Sequence, residues 1–214
     1  MKNILIIICS KNPTINLYNN INNINIIQKN NKNKYKIICV DSDSENTETY
    51  QKIKKNFKEI EIFFIKNKNY EYGAYKYGFE KYPYFDIYFC IQDTLIINNY
   101  INIDTINDNN VYTYKKYCGW SGVTWVKHKA DRFINNYNLN INDYTNKNFN
   151  IAQHNSFICN KYILNNIFKI YYLPPNDKVD SMIYERLFGL YFELKNITVH
   201  ELNNSTIKIN GNRK

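Results

Sequence analysis

The chain has 214 residues, 28 Lys and Arg against 19 Asp and Glu, a formal net charge of +9, 21 Tyr and only 6 Gly. That length suits one α/β domain with a sizeable core. The sequence excludes a membrane-spanning helix, because no apolar run approaches the ~20 residues required, and disfavours a zinc site, because no C-x-x-C occurs.

Asn, Ile, Lys and Tyr are all encoded by A/T-rich codons, so their over-use reflects base composition, and part of the positive charge is Lys inflation by the same route. The charge suits an anionic small ligand. Nucleic acid is not the expected partner, since no dense basic run is interleaved with aromatics. Residues 4–9 are too short an apolar run for a secretory signal. Cys9, Cys39 and Cys90 sit in apolar runs and read as small buried side chains. The expected compartment is a reducing cytoplasm.

Residues 4–9 have the continuous apolar character of a strand buried on both faces. Asn12 and Pro13 follow as an expected N-cap and first helical residue. Ile15, Leu17, Tyr18, Ile21, Ile24 and Ile27 then recur mostly at helical spacing. A second strand over 35–40 ends in Asp41-Ser42-Asp43-Ser44. A helix over 47–57, a strand over 61–65, a helix over 72–82 and a strand over 85–91 complete the first half, the last strand running into Gln92-Asp93. Four strands alternating with three helices predict a parallel sheet of βαβ units. Ligands of such sheets bind outside the carboxyl ends of the strands, which brings Asp41, Asp43, Gln92 and Asp93 to one edge.

The second half is less regular. It reads as a strand over 111–114, a turn over 118–122, a helix over 127–137, a polar loop over 138–150, a strand over 156–159 and a helix over 162–170. A Pro-Pro break at 173–176 precedes a helix over 179–194, started near Asp177 or Asp180. A final strand covers 197–202. The expectation is a single domain over 1–204, with a nucleotide-binding half over 1–98, an acceptor-side half over 99–204, and a polar tail over 205–214 that frays.

The acidic cluster after the second strand supports two readings. Its carboxylates can accept hydrogen bonds from a ribose or a base, or close an Asx-type turn that caps the next helix. No G-x-G-x-x-G follows the first strand, which disfavours a Rossmann dehydrogenase, and no G-x-x-x-x-G-K-[ST] occurs, which excludes a P-loop NTPase.

Three motifs in order carry a resemblance. Val40-Asp41-Ser42-Asp43-Ser44 resembles the V-D-D-x-S signature of nucleotide-sugar glycosyltransferases of the GT-A fold. Asn69-Tyr70-Glu71-Tyr72-Gly73-Ala74-Tyr75 is similar to the N-x-G-x-D-x-G-A-W variant of their rhamnan-synthesis-type polysaccharide members. Tyr88-Phe89-Cys90-Ile91-Gln92-Asp93 is similar to the strand that delivers the family's D-x-D. The resemblance spans residues 4–97 and continues loosely through His154-Asn155-Ser156-Phe157-Ile158 and Glu185-Arg186.

The resemblance implies a GT-A-like (Rossmann-like) α/β fold, a mostly parallel sheet flanked by helices. It implies an enzyme of polysaccharide biosynthesis that moves a sugar from a nucleotide-diphosphate donor to a glycan or other hydroxyl acceptor. Nucleotide-binding roles fall to Ser10, Asp41, Asp43, Gly73 and Gln92. Asp93 falls at the diphosphate as a catalytic residue, with Mg²⁺ or Mn²⁺ held by Asp93 and His154. A general base comes from the second half, Glu185 first and Asp180 second. The chain departs from the pattern at Gln92-Asp93-Thr94, where the family supplies two carboxylates. Hard cations prefer several carboxylate oxygens, so this departure weakens the case for a metal. The segment from Asn69 to Gly78 also resembles the family's N-x-G…A-R-N-x-G, with Lys76 in place of its asparagine, and Glu71 stands where the closer variant carries Asp.

His154 also reads as a solvated side chain in a polar loop. Arg186 stands out in a Lys-rich chain as a residue kept for its fork geometry. Trp120 and Trp125 read as core or as a sugar-stacking platform. Two rival functions stay open: a GT-A-like domain that binds glycan or protein without catalysis, and a nucleotidyltransferase with a similar sheet.

Overall fold

The first strand is apolar from Ile4 through Cys9 because both of its faces are covered. In the computed structural model, which describes residues 1–29, 32–121, 130 and 148–209, β1 (Asn3–Ser10), β2 (Lys34–Asp41), β3 (Glu61–Phe64) and β4 (Ile87–Gln92) alternate with α1 (Ile15–Lys29), α2 (Glu48–Asn56) and α3 (Tyr70–Lys81). All neighbouring pairs among these four strands are parallel. The predicted βαβ half is therefore present.

The later elements are β5 (Leu95–Ile97), β6 (Asn110–Tyr117), β7 (Asn150–Asn160), α4 (Lys161–Ile170), α5 (Lys178–Leu194), β8 (Thr198–Glu201) and β9 (Thr206–Lys208). The main sheet has seven strands in the order β3-β2-β1-β4-β7-β6-β8, while β5 and β9 form a separate two-stranded ribbon. β7 joins antiparallel to β4 and to β6, and β8 returns parallel to β6. The result is a mostly parallel mixed sheet flanked by helices, with one sheet running through both halves of the chain.

Strand alternation sends β1 into two cores. Leu5, Ile7 and Cys9 pack with side chains of α3, α4 and α5, whereas Ile4, Ile6 and Ile8 pack with Leu17, Ile21, Tyr50 and Ile53 of α1 and α2. Each such side chain, fully buried, contributes about 1.5–3 kcal/mol. α5 is buried through Leu187, Phe188, Leu190, Tyr191 and Phe192, so it is apolar on nearly every side, as a helix enclosed by the fold must be. Gly189 lets its axis approach β7: a Cβ there would collide with the Asn150 carbonyl oxygen and lie 2.7 Å from Ile151 Cα.

Four expectations need correction. Asn12 does not cap α1. Its side-chain oxygen accepts from the backbone N–H of Glu45 (2.9 Å) and Asn46 (3.3 Å), clasping the loop after β2. The strand expected over 156–159 is the 11-residue β7, which begins at Asn150 inside the expected polar loop. Propensity missed it because Asn150, Gln153, His154 and Asn155 are polar; β6 pairs with Asn150, Ile151 and Ala152 before residues 153–155 and with Phe157 and Ile158 after them. The 197–202 strand is not the last. The tail expected to fray supplies β9, which pairs antiparallel with β5. Gly122, Trp125, His128, residues 138–147 and all of the 127–137 helix except Ala130 lie outside the described residues. Among the described residues, no helix is long and apolar enough to cross a membrane.

Candidate functional site

Three parallel strands end side by side. Ser10 of β1 is in register with Asp41 of β2, and Cys9 with Gln92 of β4. Backbone bonds carry this edge past the strands, from Ser42 N–H to the Ser10 carbonyl (2.8 Å) and from Asp93 N–H to the Cys9 carbonyl (3.0 Å). The sequence-predicted acids thus meet at one edge, but their surroundings differ.

Asp41 is buried, and its carboxylate accepts from Ser44 N–H (2.9 Å), Ser44 Oγ and the Tyr50 hydroxyl (2.9 Å). It holds the loop and a neighbouring helix, the turn-closing role of the two readings. Asp43, two residues on, is exposed, has φ 61°, and lines an open cleft of about 380 Å³ with Lys11, Ser42, Asn67, Lys68 and Tyr70. Of the two acids, Asp43 is the one exposed at the cleft. Ser10 is buried and donates to Asp93 Oδ2 at 2.7 Å, so this pair supports the floor of the edge.

Gly73 acts through a neighbour. A Cβ at Gly73 would collide with Asn67 Oδ1. The absence of one lets Asn67 donate to Ser42 Oγ (3.0 Å) and to the Tyr70 carbonyl (2.7 Å) while accepting from Asn69 N–H (3.0 Å). Asn67 lines the cleft. It passed unnoticed in the sequence as one Asn among many.

A buried polar network runs inward from the cleft, which Glu71 also lines. Gln92 Nε2 donates to Glu71 Oε1 at 2.6 Å, and Glu71 Oε2 accepts from Ser181 Oγ at 2.9 Å and Asn155 Nδ2 at 3.4 Å. Asn155 Nδ2 also reaches the Ser181 carbonyl and hydroxyl, both at 3.2 Å, while Asn155 Oδ1 is buried without a hydrogen-bond partner. Glu71, 2% exposed, joins α3, β4, β7 and α5. Its only sequence signal was its place in a motif that carries Asp. Ser181 had none.

β7 reaches this network through an irregularity. Its register against β6 shifts between Thr113 and Lys115, and His154 (φ 59°) and Asn155 (φ 50°) both adopt the left-handed region. Six of the seven described non-Gly residues with positive φ lie around this site: Asn12, Asp43, Lys66, Tyr70, His154 and Asn155. Backbone strain of this kind concentrates where function demands a geometry.

Glu185 stands beside the bulge. Its Oε1 accepts from His154 N–H at 3.0 Å, and its side chain is 18% exposed. Burial pushes its carboxyl up to about 7 from an ordinary 4.5. Arg186 and the His154 N–H pull it down, and the Glu71 charge adds to the rise. A carboxyl titrating near neutrality within reach of solvent suits proton transfer. Arg186 is buried, donates from Nη1 to the Met182 carbonyl at 2.9 Å, and lies 3.9 Å from Glu185 Oε2.

Other expected residues have structural roles. Asp180 accepts from Asn176 N–H (3.0 Å) and donates its own N–H to the Asp177 carboxylate (2.8 Å), a reciprocal cap at the start of α5. Its carboxylate therefore belongs to the helix end. The His154 ring packs on Tyr114 at 5.4 Å. Trp120 is buried edge-on to Phe149, in the core. Lys76 pairs loosely with Glu80 at 4.0 Å on an exposed turn of α3.

The residues do not fit a divalent cation at the strand end. Gln92 Oε1 and Thr94 Oγ1 stand where two carboxylates would be needed. Both accept from the Lys208 ammonium, Gln92 at 2.9 Å. An ammonium on the same oxygens repels a second cation, and neutral amide and hydroxyl oxygens bind Mg²⁺ or Mn²⁺ weakly beside carboxylates.

No protein-family model matches the chain, and no curated protein matches it. Solved structures do. S. aureus TarS superposes with a TM-score of 0.55 at 15% identity, over 94% of this chain and 35% of that one. A structure of S. aureus TarS 1-349 in complex with UDP superposes with the same TM-score and identity, over 95% of this chain and 58% of that one. The chain therefore spans between a third and three-fifths of these structures. The likeness establishes a GT-A-like fold.

Proposed function

We propose that this chain transfers a sugar from a nucleotide-diphosphate donor to a hydroxyl group of a glycan or other acceptor. The observation that carries the proposal is one edge of the sheet. There, an exposed acid at a strand end (Asp43) borders a cleft, and a partly exposed carboxyl with a pKa of about 7 (Glu185) stands beside the same polar network. The UDP bound to the similarly folded TarS supports a nucleoside diphosphate as the ligand of the equivalent edge here.

In this reading Asp43 and Asn67 hold the ribose or base by hydrogen bonds, as acids after a second strand do in related sheets. Lys11 and Lys68, lining the cleft, attract the diphosphate. The acceptor oxygen attacks the anomeric carbon. The bond from that carbon to the diphosphate oxygen breaks, the nucleoside diphosphate leaves with the electron pair, and Glu185 takes the acceptor proton. Glu71, which also lines the cleft, positions Gln92 and Asn155.

A second reading has an observation in its favour. Asp41, Glu71 and Asp93 each accept hydrogen bonds from within the protein, as expected of a domain that binds a donor or glycan without turning it over. One experiment separates the readings. Titrate the protein calorimetrically with a panel of nucleotide-diphosphate sugars, then follow release of nucleoside diphosphate with varied acceptors. Binding with turnover supports transfer. Binding without turnover by any acceptor supports the non-catalytic domain. No binding by any donor removes transfer and a donor-binding role alike, and leaves only a glycan- or protein-binding domain.

A further inference from the structure

Lys208 lies in the stretch whose composition suggested a frayed tail, yet its place is tightly set. β9 pairs with β5 so that Lys208 is opposite Leu95, and Ile209 N–H donates to the Thr94 carbonyl at 3.0 Å. Strand alternation turns Lys208 to the same side as buried Thr206, while Ile207 between them is 52% exposed. A slip of one residue would turn Lys208 away.

The acceptor oxygens are oriented as well. The carboxylate of Glu71 can only accept, so it draws the NH₂ of Gln92 at 2.6 Å and turns Oε1 toward Lys208. Thr94 Oγ1 accepts from the same ammonium and donates to Gln92 Oε1 at 3.2 Å. Glu71 thus acts on Lys208 through Gln92. Lys208 is half-buried, while Gln92 and Thr94 are buried.

The geometry points to Lys208 as a built-in cation that neutralises the diphosphate in place of a divalent metal. This inference rests on the nucleotide-diphosphate reading above. Two carboxylates and a divalent ion sum to no net charge. The Gln92 amide, the Thr94 hydroxyl, the Asp93 carboxylate and the Lys208 ammonium also sum to no net charge, so the exchange offers a diphosphate the same net charge without a metal. The neighbouring carboxylates of Glu71 and Asp93 are held by Gln92, Ser181 and Asn155 in one case and by Ser10 in the other. Lys11 and Lys68 supply further positive charge along the cleft.

The test compares a nucleoside with its diphosphate by calorimetry, in EDTA and in Mn²⁺. Uridine and UDP come first, then the adenosine, guanosine, cytidine and thymidine pairs. The diphosphate is expected to bind in EDTA, with Kd shifted less than about twofold by Mn²⁺. Lys208→Ala should weaken diphosphate binding roughly 10- to 100-fold, the worth of a charged hydrogen bond, and leave the nucleoside unchanged. Lys208→Arg should restore most of the loss. Diphosphate binding that requires Mn²⁺ overturns the inference. So does a Lys208→Ala protein that loses nucleoside and diphosphate affinity alike, because the lysine is then only a pin for β9. The comparison of EDTA with Mn²⁺ in the unmodified protein decides the matter even if the variant unfolds. Absence of binding to every nucleoside and diphosphate removes the nucleotide reading itself.

Discussion

The parallel half and the later half bring residues to the site by different means. In β1, β2 and β4, site residues stand at or just past the last residue of a strand, and the edge follows from the direction of the chain. In the later half, Asn155 and the His154 N–H arrive through a bulge in an antiparallel strand, Glu185 and Ser181 from the side of a helix, and Lys208 from a strand in a second sheet. The first arrangement needs only topology. The second depends on register, so small displacements there should have the larger consequences.

Glu185→Gln tests this at its most sensitive point. Loss of a general base lowers turnover about 10²- to 10⁴-fold, while donor affinity should stay within about twofold. Unchanged turnover would dismiss Glu185 as the base. The same carboxyl makes stability depend on pH. Its folded pKa is raised from 4.5 to about 7, so the folded protein retains a proton that the unfolded chain releases across that range. This group's contribution is fullest below pH 4.5 and is lost as pH rises to about 7. Denaturant titrations between pH 4.5 and 8 should show the loss in the native protein and not in Glu185→Gln.

Gly189→Ala comes next. Its Cβ meets the backbone of β7, which cannot rotate aside, and overpacking of this kind costs about 1–3 kcal/mol in urea unfolding. Gly73→Ala instead presses on the Asn67 side chain, and its larger effect should be on nucleoside affinity. If both behave alike, the contrast between the halves fails.

In the parallel half the two acids should separate. Asp41→Ala leaves the Tyr50 hydroxyl and Ser44 without their acceptor and should cost about 1–3 kcal/mol of stability. Asp43→Ala should leave stability within about 0.5 kcal/mol and weaken nucleoside binding roughly tenfold. Reversal of this pattern in paired calorimetry and unfolding experiments would return the ligand role to Asp41. Lys76→Ala marks the lower end, at under about 0.5 kcal/mol for an exposed pair.

Much of the first half was legible because its rules are local. Continuous apolar runs identified β1, β2 and β4, helical spacing identified α1, and strand direction placed Asp43, Gln92 and Asp93 at one edge. The same rules did not tell Asp41 from Asp43. Both are carboxylates after a strand, and only the position of Tyr50 on the neighbouring helix decides which one turns inward. Asn67, Asn155 and Ser181 were hidden for another reason: in an Asn-rich chain a polar residue becomes informative only when its partners come from distant segments, 84 residues away for Asn155 and Glu71.

The sequence by itself determined the parallel sheet and the strand edge that gathers Asp41, Asp43, Gln92 and Asp93, because apolar periodicity and strand direction depend on neighbours along the chain; Glu185 entered through the family resemblance. Only the tertiary structure decided which acid faces the cleft, that Glu185 is buried enough for its carboxyl to be pushed up to about 7, and that Lys208 of β9 donates to Gln92 and Thr94 at the end of β4. Burial, register and the pairing of β5 with β9 are set by segments far apart in sequence, and no local pattern encodes them.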